Sequence, residues 1–169
     1  MNVSDWQVLD RQQLRKTGSD LAQDSILADH LARIQHDASG SSWSPESWEQ
    51  TLGGKGVNVS MAIEIDTNSP IGFVCYRQMF DEFEIYYIAT VRKFRRRGVA
   101  RLLLEKCIEF LTSNKTGSIR LEVAADNDAA LNLYLKCGFS EYSRRKNYYY
   151  RSPDQRCDAI EMQYCLTSN

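Results

Sequence analysis

Four arginines lie at the predicted start of a helix, and this concentration of positive charge indicates a candidate binding site. Arg95, Arg96, Arg97 and Arg101 lie between an apolar, strand-like segment and a segment of helical spacing. A helix N-terminus already carries about half a positive charge and unpaired backbone N–H groups, so cations are unfavourable there. The same geometry binds phosphate groups well. The sequence therefore indicates a strand–turn–helix unit that holds a phosphorylated ligand.

Gly98 stands within this arginine cluster, where a tight turn must lead into the helix. A glycine allows the turn and lets the backbone approach an anion closely. A solvated basic helix end explains residues 96–101 equally well. The segment is not a P-loop, because no Lys-Ser or Lys-Thr follows a long glycine-spaced loop, and the G-x-G-x-x-G dinucleotide fingerprint is absent.

Two side chains further along the chain could move protons. Glu122 lies on the opposite strand face from Leu121 and Val123, so it can point out of the core towards a cleft. A solvent-facing carboxylate is the commoner fate of such a residue. Tyr134 stands among leucines, and this spacing alone makes it a core aromatic. Asn127 is placed to cap the helix that carries Tyr134.

A sheet and several helices must bring these residues together, and the hydrophobic pattern predicts both. It predicts helices near residues 19–37, from Pro45, near 98–113 and near 127–137. It predicts strands near residues 6–9, 57–65, 71–80, 83–91, 118–125, 141–150 and 159–166. Hairpins and strand–helix–strand crossovers alternate, so the class is α/β with a mixed sheet. We expect one domain over residues 1–169, since no repeat or linker interrupts it.

Composition limits the classes of protein that this chain can represent. With 43% hydrophobic and 25% charged residues it is typical of a globular protein. A net charge of −1 argues against bulk nucleic-acid binding, and no apolar run is long enough to span a membrane. Only two histidines disfavour a metal site or a histidine triad. The five cysteines include no C-x-x-C pair, which favours reduced thiols. The first residues are unlike a signal peptide, so we expect a cytoplasmic protein.

Two motifs in this arrangement resemble those of the GCN5-related N-acetyltransferase (GNAT) family. Arg96-Arg-Gly-Val-Ala-Arg101 resembles the family's coenzyme A motif, Q/R-x-x-G-x-G/A. Residues 130–139, ALNLYLKCGF, are similar to its A-x-x-L-Y-x-x-x-G-F string. The resemblance runs from about Trp43 to the end of the chain. Residues 43–48, 142–149 and 158–162 also resemble the family's ribosomal-protein-alanine subfamily.

The resemblance implies a fold and an acetyl donor. It implies a mixed, mostly antiparallel sheet of about seven strands, splayed at the cofactor site and flanked by about four helices. It implies acetyl-CoA as the donor and no metal. The pantetheine arm of acetyl-CoA would pair with the backbone of one strand, at Ile88, Ala89 and Thr90, and with the side chain of Asn127. The pyrophosphate of acetyl-CoA would bind the arginine turn, which comprises Arg96, Arg97, Gly98, Val99, Ala100 and Arg101. Two positions depart from the pattern, since Ala100 replaces a motif glycine and Thr90 an aliphatic residue.

The resemblance also implies roles in catalysis. Glu122 aligns with the glutamate that accepts the amine proton, through water, and Tyr134 aligns with the tyrosine that protonates the leaving thiolate. A protein α-amino group has a pKa near ~8, so a modest base suffices.

The residues that recognise the acceptor are less clear from the sequence. Trp43 belongs to a segment that resembles the subfamily, and Glu84, with Asp81 and Glu82, could attract a cationic amino terminus. A charged turn explains these carboxylates equally well. Consecutive tyrosines near the end of the chain put rings on both strand faces, so at least one should be exposed in a peptide groove or at a sheet edge; the candidates are Tyr148 and Tyr149.

We therefore predict an acetyl-CoA-dependent N-acetyltransferase that modifies a protein N-terminus, the N-terminal alanine of a small-subunit ribosomal protein, by direct attack of the amine on the thioester. One alternative is the same chemistry on a lysine side chain or a small-molecule amine. Another is a non-catalytic module that binds coenzyme A or nucleic acid. The net charge argues against nucleic acid, and the two proton-transfer residues argue against a module. We expect a protein partner, no direct nucleic-acid or membrane contact, and a monomer or weak dimer.

Overall fold

Seven strands form one sheet in the computed structural model, which describes residues 5–80, 82–113, 117–152 and 154–166. The strands lie in the order β1-β2-β3-β4-β5-β7-β6. Neighbours are antiparallel except β4 and β5, which are parallel. Their bounds are Trp6–Asp10 (β1), Val57–Glu64 (β2), Ser69–Met79 (β3), Glu82–Thr90 (β4), Ser118–Ala124 (β5), Ser140–Ser152 (β6) and Gln155–Cys165 (β7). The predicted mixed sheet is confirmed.

Helices cover both faces of this sheet. They span Arg11–Lys16 (α1), Asp24–Ser39 (α2), Pro45–Leu52 (α3), Val99–Ser113 (α4) and Asp128–Lys136 (α5). Short 3-10 turns lie at Asp20–Ala22 and Arg92–Phe94. One hydrophobic cluster packs α4 and α5 against the sheet, and a second packs α1, α2 and α3. Among the described residues, no helix is long and apolar enough to cross a membrane.

The N-terminal helices differ from the prediction in one respect. The helix expected from residue 19 begins at Asp24, because the Ser19 side chain caps the preceding 3-10 turn instead. Helix α1 was not predicted, since only Leu14 of its six residues is buried. A capping box starts it: Gln13 N–H donates to the Asp10 carboxylate at 2.7 Å, and Asp10 N–H donates to the Gln13 side chain at 2.9 Å.

Helix α3 starts as predicted, and its start anchors two tryptophans. Ser44 accepts a hydrogen bond from the Ser47 N–H, and a proline follows it at the first helical position. The rings of Trp43 and Trp48 lie 4.7 Å apart between centroids. Gln35 of α2 joins them, since its side-chain oxygen accepts from the Trp48 indole N–H at 3.0 Å and from the Trp43 backbone N–H at 2.9 Å.

The parallel pair β4–β5 opens along its length. Its register runs from Glu82 opposite Ser118 to Ile85 opposite Leu121, and no pairing follows. The β3–β4 register shifts at the same point, where Tyr86 is an extra residue in β4. A bulge of this kind bends its strand away from the neighbour. The sheet is therefore splayed between the last residues of β4 and those of β5.

Candidate active site

The end of β4 forms one wall of the opening. Ile88, Ala89 and Thr90 pair with β3 on one side, but the β5 register has already ended. Their backbone groups on the open side can therefore pair with an extended ligand, as an added strand would. The Thr90 hydroxyl is buried and has no hydrogen-bond partner among the described residues. This hydroxyl lies towards β3, because a Cβ on Gly72 would be only 3.4 Å from it, so it is directed away from the open edge.

The turn into α4 presents backbone donors. Gly98 has a φ of +94° and Arg96 a φ of +59°, both left-handed. The Gly98 carbonyl accepts from the Leu102 N–H at 2.9 Å, so the helix begins here and its first N–H groups lack intrahelical acceptors. A glycine at the helix start offers no side chain to satisfy them. The turn can therefore bind an anion through its backbone.

The arginines around this turn have partners in the protein. Arg95 donates to the carbonyl of Ala38 at the end of α2, where a cation is favourable. The N–H of Arg92 donates to the Asp37 carboxylate at 2.6 Å. Arg101 pairs with a glutamate one helical turn later at 2.7 Å. Arg95 and Arg101 therefore each have a partner within the protein, which offsets part of the charge of the cluster, and their contact with an anion stays a prediction.

Glu122 of β5 faces a cavity of about 590 Å³ on the other side of the opening. Its side chain is 28% exposed. The Tyr149 hydroxyl donates to one carboxylate oxygen at 2.6 Å, and the Arg145 guanidinium lies 3.2 Å from the other oxygen. Arg145 also pairs with Glu161 of β7. Glu122 is therefore held on both oxygens and is not an isolated strand carboxylate.

The same cavity gathers the four residues predicted to bind the acceptor. Its lining includes Trp43, Glu84, Tyr148 and Tyr149 together with Glu122. Trp43 and Tyr148 are each exposed over nearly half of their surface, 41% and 47% respectively. Aromatic rings beside carboxylates suit a cationic amine. Asp81, the other acidic candidate, lies outside the described residues.

Tyr134 lies outside this lining, in α5. It is 5% exposed, and its ring contacts that of Phe139 at 5.9 Å between centroids. Burial raises the pKa of the Tyr134 phenol well above its usual value, with a further contribution from Tyr87. A phenol has an ordinary pKa of about 10, so Tyr134 is protonated near neutral pH even without this shift and has a proton to donate. Asn127 caps α5 as predicted, because its side-chain oxygen accepts from the Ala130 N–H at 3.2 Å.

Sequence reasoning missed four charged residues of the cavity. Arg77, Arg120, Arg145 and Glu161 all line it, and Arg120 pairs with Glu82 at 2.8 Å. The signal for Arg120 was present, because residues two apart in a strand share a face and Arg120 precedes Glu122 by two. Arg145 gave no such signal. Among the described residues, no three His, Cys, Asp or Glu side chains converge in a way that could hold a metal ion.

Comparisons with known proteins agree with this geometry. A model of the acetyltransferase (GNAT) family matches residues 27–139. The ribosomal protein bS18 alanine N-acetyltransferase of Escherichia coli K12 is 32% identical over 129 residues, which are 76% of this chain and 84% of that protein. The crystal structure of the ribosomal protein S18 alanine N-acetyltransferase from Escherichia coli superposes with a TM-score of 0.80 at 24% identity, covering 97% of this chain and 96% of the other.

A plant structure shares the fold in complex with a donor. Arabidopsis thaliana NAA60, crystallised with acetyl-CoA, superposes with a TM-score of 0.70 at 18% identity and covers 82% of this chain and 93% of the other. The splayed sheet, the helix start beside it and the family match support one conclusion. This chain belongs to the GNAT family and is an acetyltransferase.

Proposed function

We propose that the protein transfers the acetyl group of acetyl-CoA to the N-terminal amine of a protein, the N-terminal alanine of a small-subunit ribosomal protein. The observation that carries the proposal is Glu122, which lies at the opening of the sheet and faces a cavity lined by aromatic side chains and by paired acidic and basic ones. The relative named for the ribosomal protein bS18 alanine supports this acceptor. A ribosomal acceptor would place the enzyme in the cytoplasm.

The donor fits the opening between β4 and β5. The pyrophosphate of acetyl-CoA would accept hydrogen bonds from the first N–H groups of α4, around Gly98 to Arg101. Its extended arm would pair with the open edge of Ile88 to Thr90. Asn127 would lie beside the same arm, although its side-chain oxygen already caps α5.

The acceptor amine enters from the cavity. Its nitrogen forms a bond to the thioester carbonyl carbon, the C–S bond breaks, and the electron pair leaves on sulfur. The amine gives up a proton towards Glu122, and the sulfur takes the phenol proton of Tyr134. A tyrosine phenol is protonated at neutral pH, so it carries the proton that this step needs.

The test is coenzyme A release with an Ala-starting ribosomal peptide. Wild type, Glu122→Gln and Tyr134→Phe are compared, and each variant is expected to lose about 10²-fold or more in kcat, because general acid–base groups act in the transition state. Wild-type rates in both variants would show that the proposed roles are wrong.

A panel of amines tests the acceptor separately. It contains the Ala-starting peptide, the same peptide with a blocked N-terminus and an internal lysine, and a polyamine. Turnover of the first alone supports N-terminal acetylation. Turnover of only the lysine peptide or the polyamine would mean that the enzyme acts on another amine.

A further inference from the structure

We propose that Tyr149 relays the amine proton to Glu122. This inference rests on the proposed function and assigns Tyr149 a part in the reaction beyond contact with the acceptor. The starting observation is that both oxygens of Glu122 are already engaged, one by the Tyr149 hydroxyl at 2.6 Å and the other by Arg145 at 3.2 Å. Tyr149 and Glu122 both line the cavity, so an amine there can contact the phenol that is hydrogen-bonded to the carboxylate.

The Tyr149 oxygen is suited to this position. A phenol has one donor and two acceptor lone pairs, and its donor is directed at Glu122. The oxygen is thus left with acceptor capacity for an amine N–H. Tyr149 is half-buried and lines the cavity. Burial, followed by the hydrogen bond to Glu122, raises the pKa of the phenol above its usual value.

Its neighbours hold the ring in place. The Arg151 guanidinium lies over the Tyr149 ring at 5.5 Å from the centroid, and the Tyr148 ring meets it edge-on at 5.2 Å. Arg151 is itself fixed by two hydrogen bonds to Asp126, at 2.7 and 2.6 Å. The position of the Tyr149 ring is therefore restricted by Arg151, which Asp126 in the loop before α5 holds in place.

The strand conformation explains why Tyr149 reaches Glu122. The β6–β7 register jumps between Arg145 and Tyr149, so β6 has two extra residues there. Asn147 within this bulge has a φ of +55°, and its N–H donates to the Asp158 carboxylate at 2.9 Å. Residues four apart in a strand share a face, so Tyr149 lies on the face that carries Arg145, and the two extra residues place it opposite Cys157, two positions closer to the Glu122 end of β7. Both side chains contact Glu122.

The proton balance of the step is as follows. As the C–N bond forms, an amine proton passes to the Tyr149 oxygen while the phenol proton passes to Glu122, so Tyr149 ends unchanged. The C–S bond breaks, and the sulfur takes its proton from Tyr134. Glu122 then releases one proton to water and Tyr134 regains one. Arg145 acts as a positioning residue, because it holds the second carboxylate oxygen and leaves the first for Tyr149.

The test compares three tyrosine variants in the coenzyme A release assay. Tyr149→Phe removes only the hydroxyl, and we expect kcat to fall about tenfold to a hundredfold with a smaller change in KM. Tyr148→Phe keeps the bond to Glu122, so any change should lie mainly in KM. Tyr150→Phe is the silent control, because Tyr150 is 68% exposed and lies outside the cavity lining.

Proton counting separates a relay from a binding contact. In mixtures of light and heavy water, the dependence of kcat on the fraction of heavy water reports how many protons move in the transition state. The proton from Tyr134 is common to both enzymes, so the number should be larger in wild type than in Tyr149→Phe, which lacks the relay. The double variant Glu122→Gln/Tyr149→Phe should be no slower than Glu122→Gln alone, because the two groups act in one path. Thermal unfolding of each variant checks that the fold is retained.

The outcomes distinguish the two proposals. If Tyr149→Phe changes KM alone, or adds its loss to that of Glu122→Gln, the relay is overturned and Tyr149 only binds the acceptor. If wild type prefers another amine, the proposed acceptor is wrong, and the same variants test the relay with that amine. Absence of coenzyme A release with every amine would overturn both.

Discussion

Replacement of Gln35 by methionine should measure how much the hydrogen bonds from Trp43 and Trp48 to Gln35 contribute to stability. Gln35 is 3% exposed, and Trp48 is fully buried. The Gln35 side-chain oxygen accepts from the Trp48 indole N–H and from the Trp43 backbone N–H. Methionine has a similar shape but provides no comparable acceptor. Gln35→Met therefore leaves two N–H groups without a partner while it changes the packing little.

The magnitude follows from the burial of these two donors. A buried donor without a partner costs about 1–3 kcal/mol, which applies to the indole of Trp48. The Trp43 backbone N–H belongs to a more exposed residue, and its lost bond costs about 0.5–1.5 kcal/mol. We expect the free energy of unfolding to fall by about 1.5–4.5 kcal/mol, a large share of the roughly 5–15 kcal/mol that stabilises a typical domain.

Urea unfolding of a double-mutant cycle measures this cost. Trp48→Phe removes the indole donor, so Gln35→Met should cost about 1–3 kcal/mol less in the Trp48→Phe background than in wild type. Trp43 lines the cavity, so Gln35→Met should also raise KM for the acceptor while kcat is retained. A cost below about 0.5 kcal/mol, or equal costs in both backgrounds, would refute the reasoning.

Three further predictions concern the bulge, one histidine and the thiols. Asn147→Ala should lower the free energy of unfolding by about 1–2 kcal/mol because its φ is +55°, whereas Asn147→Gly should not, in the same urea assay. Burial and Arg33 lower the pKa of His30 in the folded protein. Below about pH 6.5 the unfolded chain therefore binds a proton at this histidine more readily than the folded protein, which destabilises the fold. Between pH 7.5 and 5.5 the urea midpoint of wild type should accordingly fall more than that of His30→Gln. Burial raises the pKa of the Cys75 and Cys107 thiols to about 12, so by mass spectrometry a thiol reagent should label the exposed Cys165 at once and these two only after unfolding.

Elements set by local rules could be predicted from the sequence. Ser44 with its following proline starts α3, and Gly138, with a φ of +90°, follows the end of α5 as a left-handed residue. The strands followed from hydrophobic runs broken by turn residues. Helix α1 was missed because six polar-rich residues give no periodic signal, and its capping box joins residues that also suit a turn.

The arrangement of the candidate site depended on distant pairings. Glu122 could be placed on the outer face of its strand, but its contacts with Tyr149 and Arg145 depend on the register of β6 and on a bulge. Strand register is not written in the residues of one strand alone. The basic turn before α4 could be located from the sequence. The partner of Arg95 could not, because it is the carbonyl of Ala38, 57 residues earlier in the chain at the end of α2.

The two bonds from α2 to this turn have a consequence for folding. Arg92 and Arg95 contact Asp37 and Ala38 across sequence separations of 55 and 57 residues. Contacts of this span form only after a long loop has closed, and loop closure costs entropy before any contact is made. The turn that would hold the phosphates is therefore completed only when the N-terminal helices have docked on the sheet. We therefore expect a nascent or partly unfolded chain, which lacks these two bonds, to bind the donor more weakly than the folded protein.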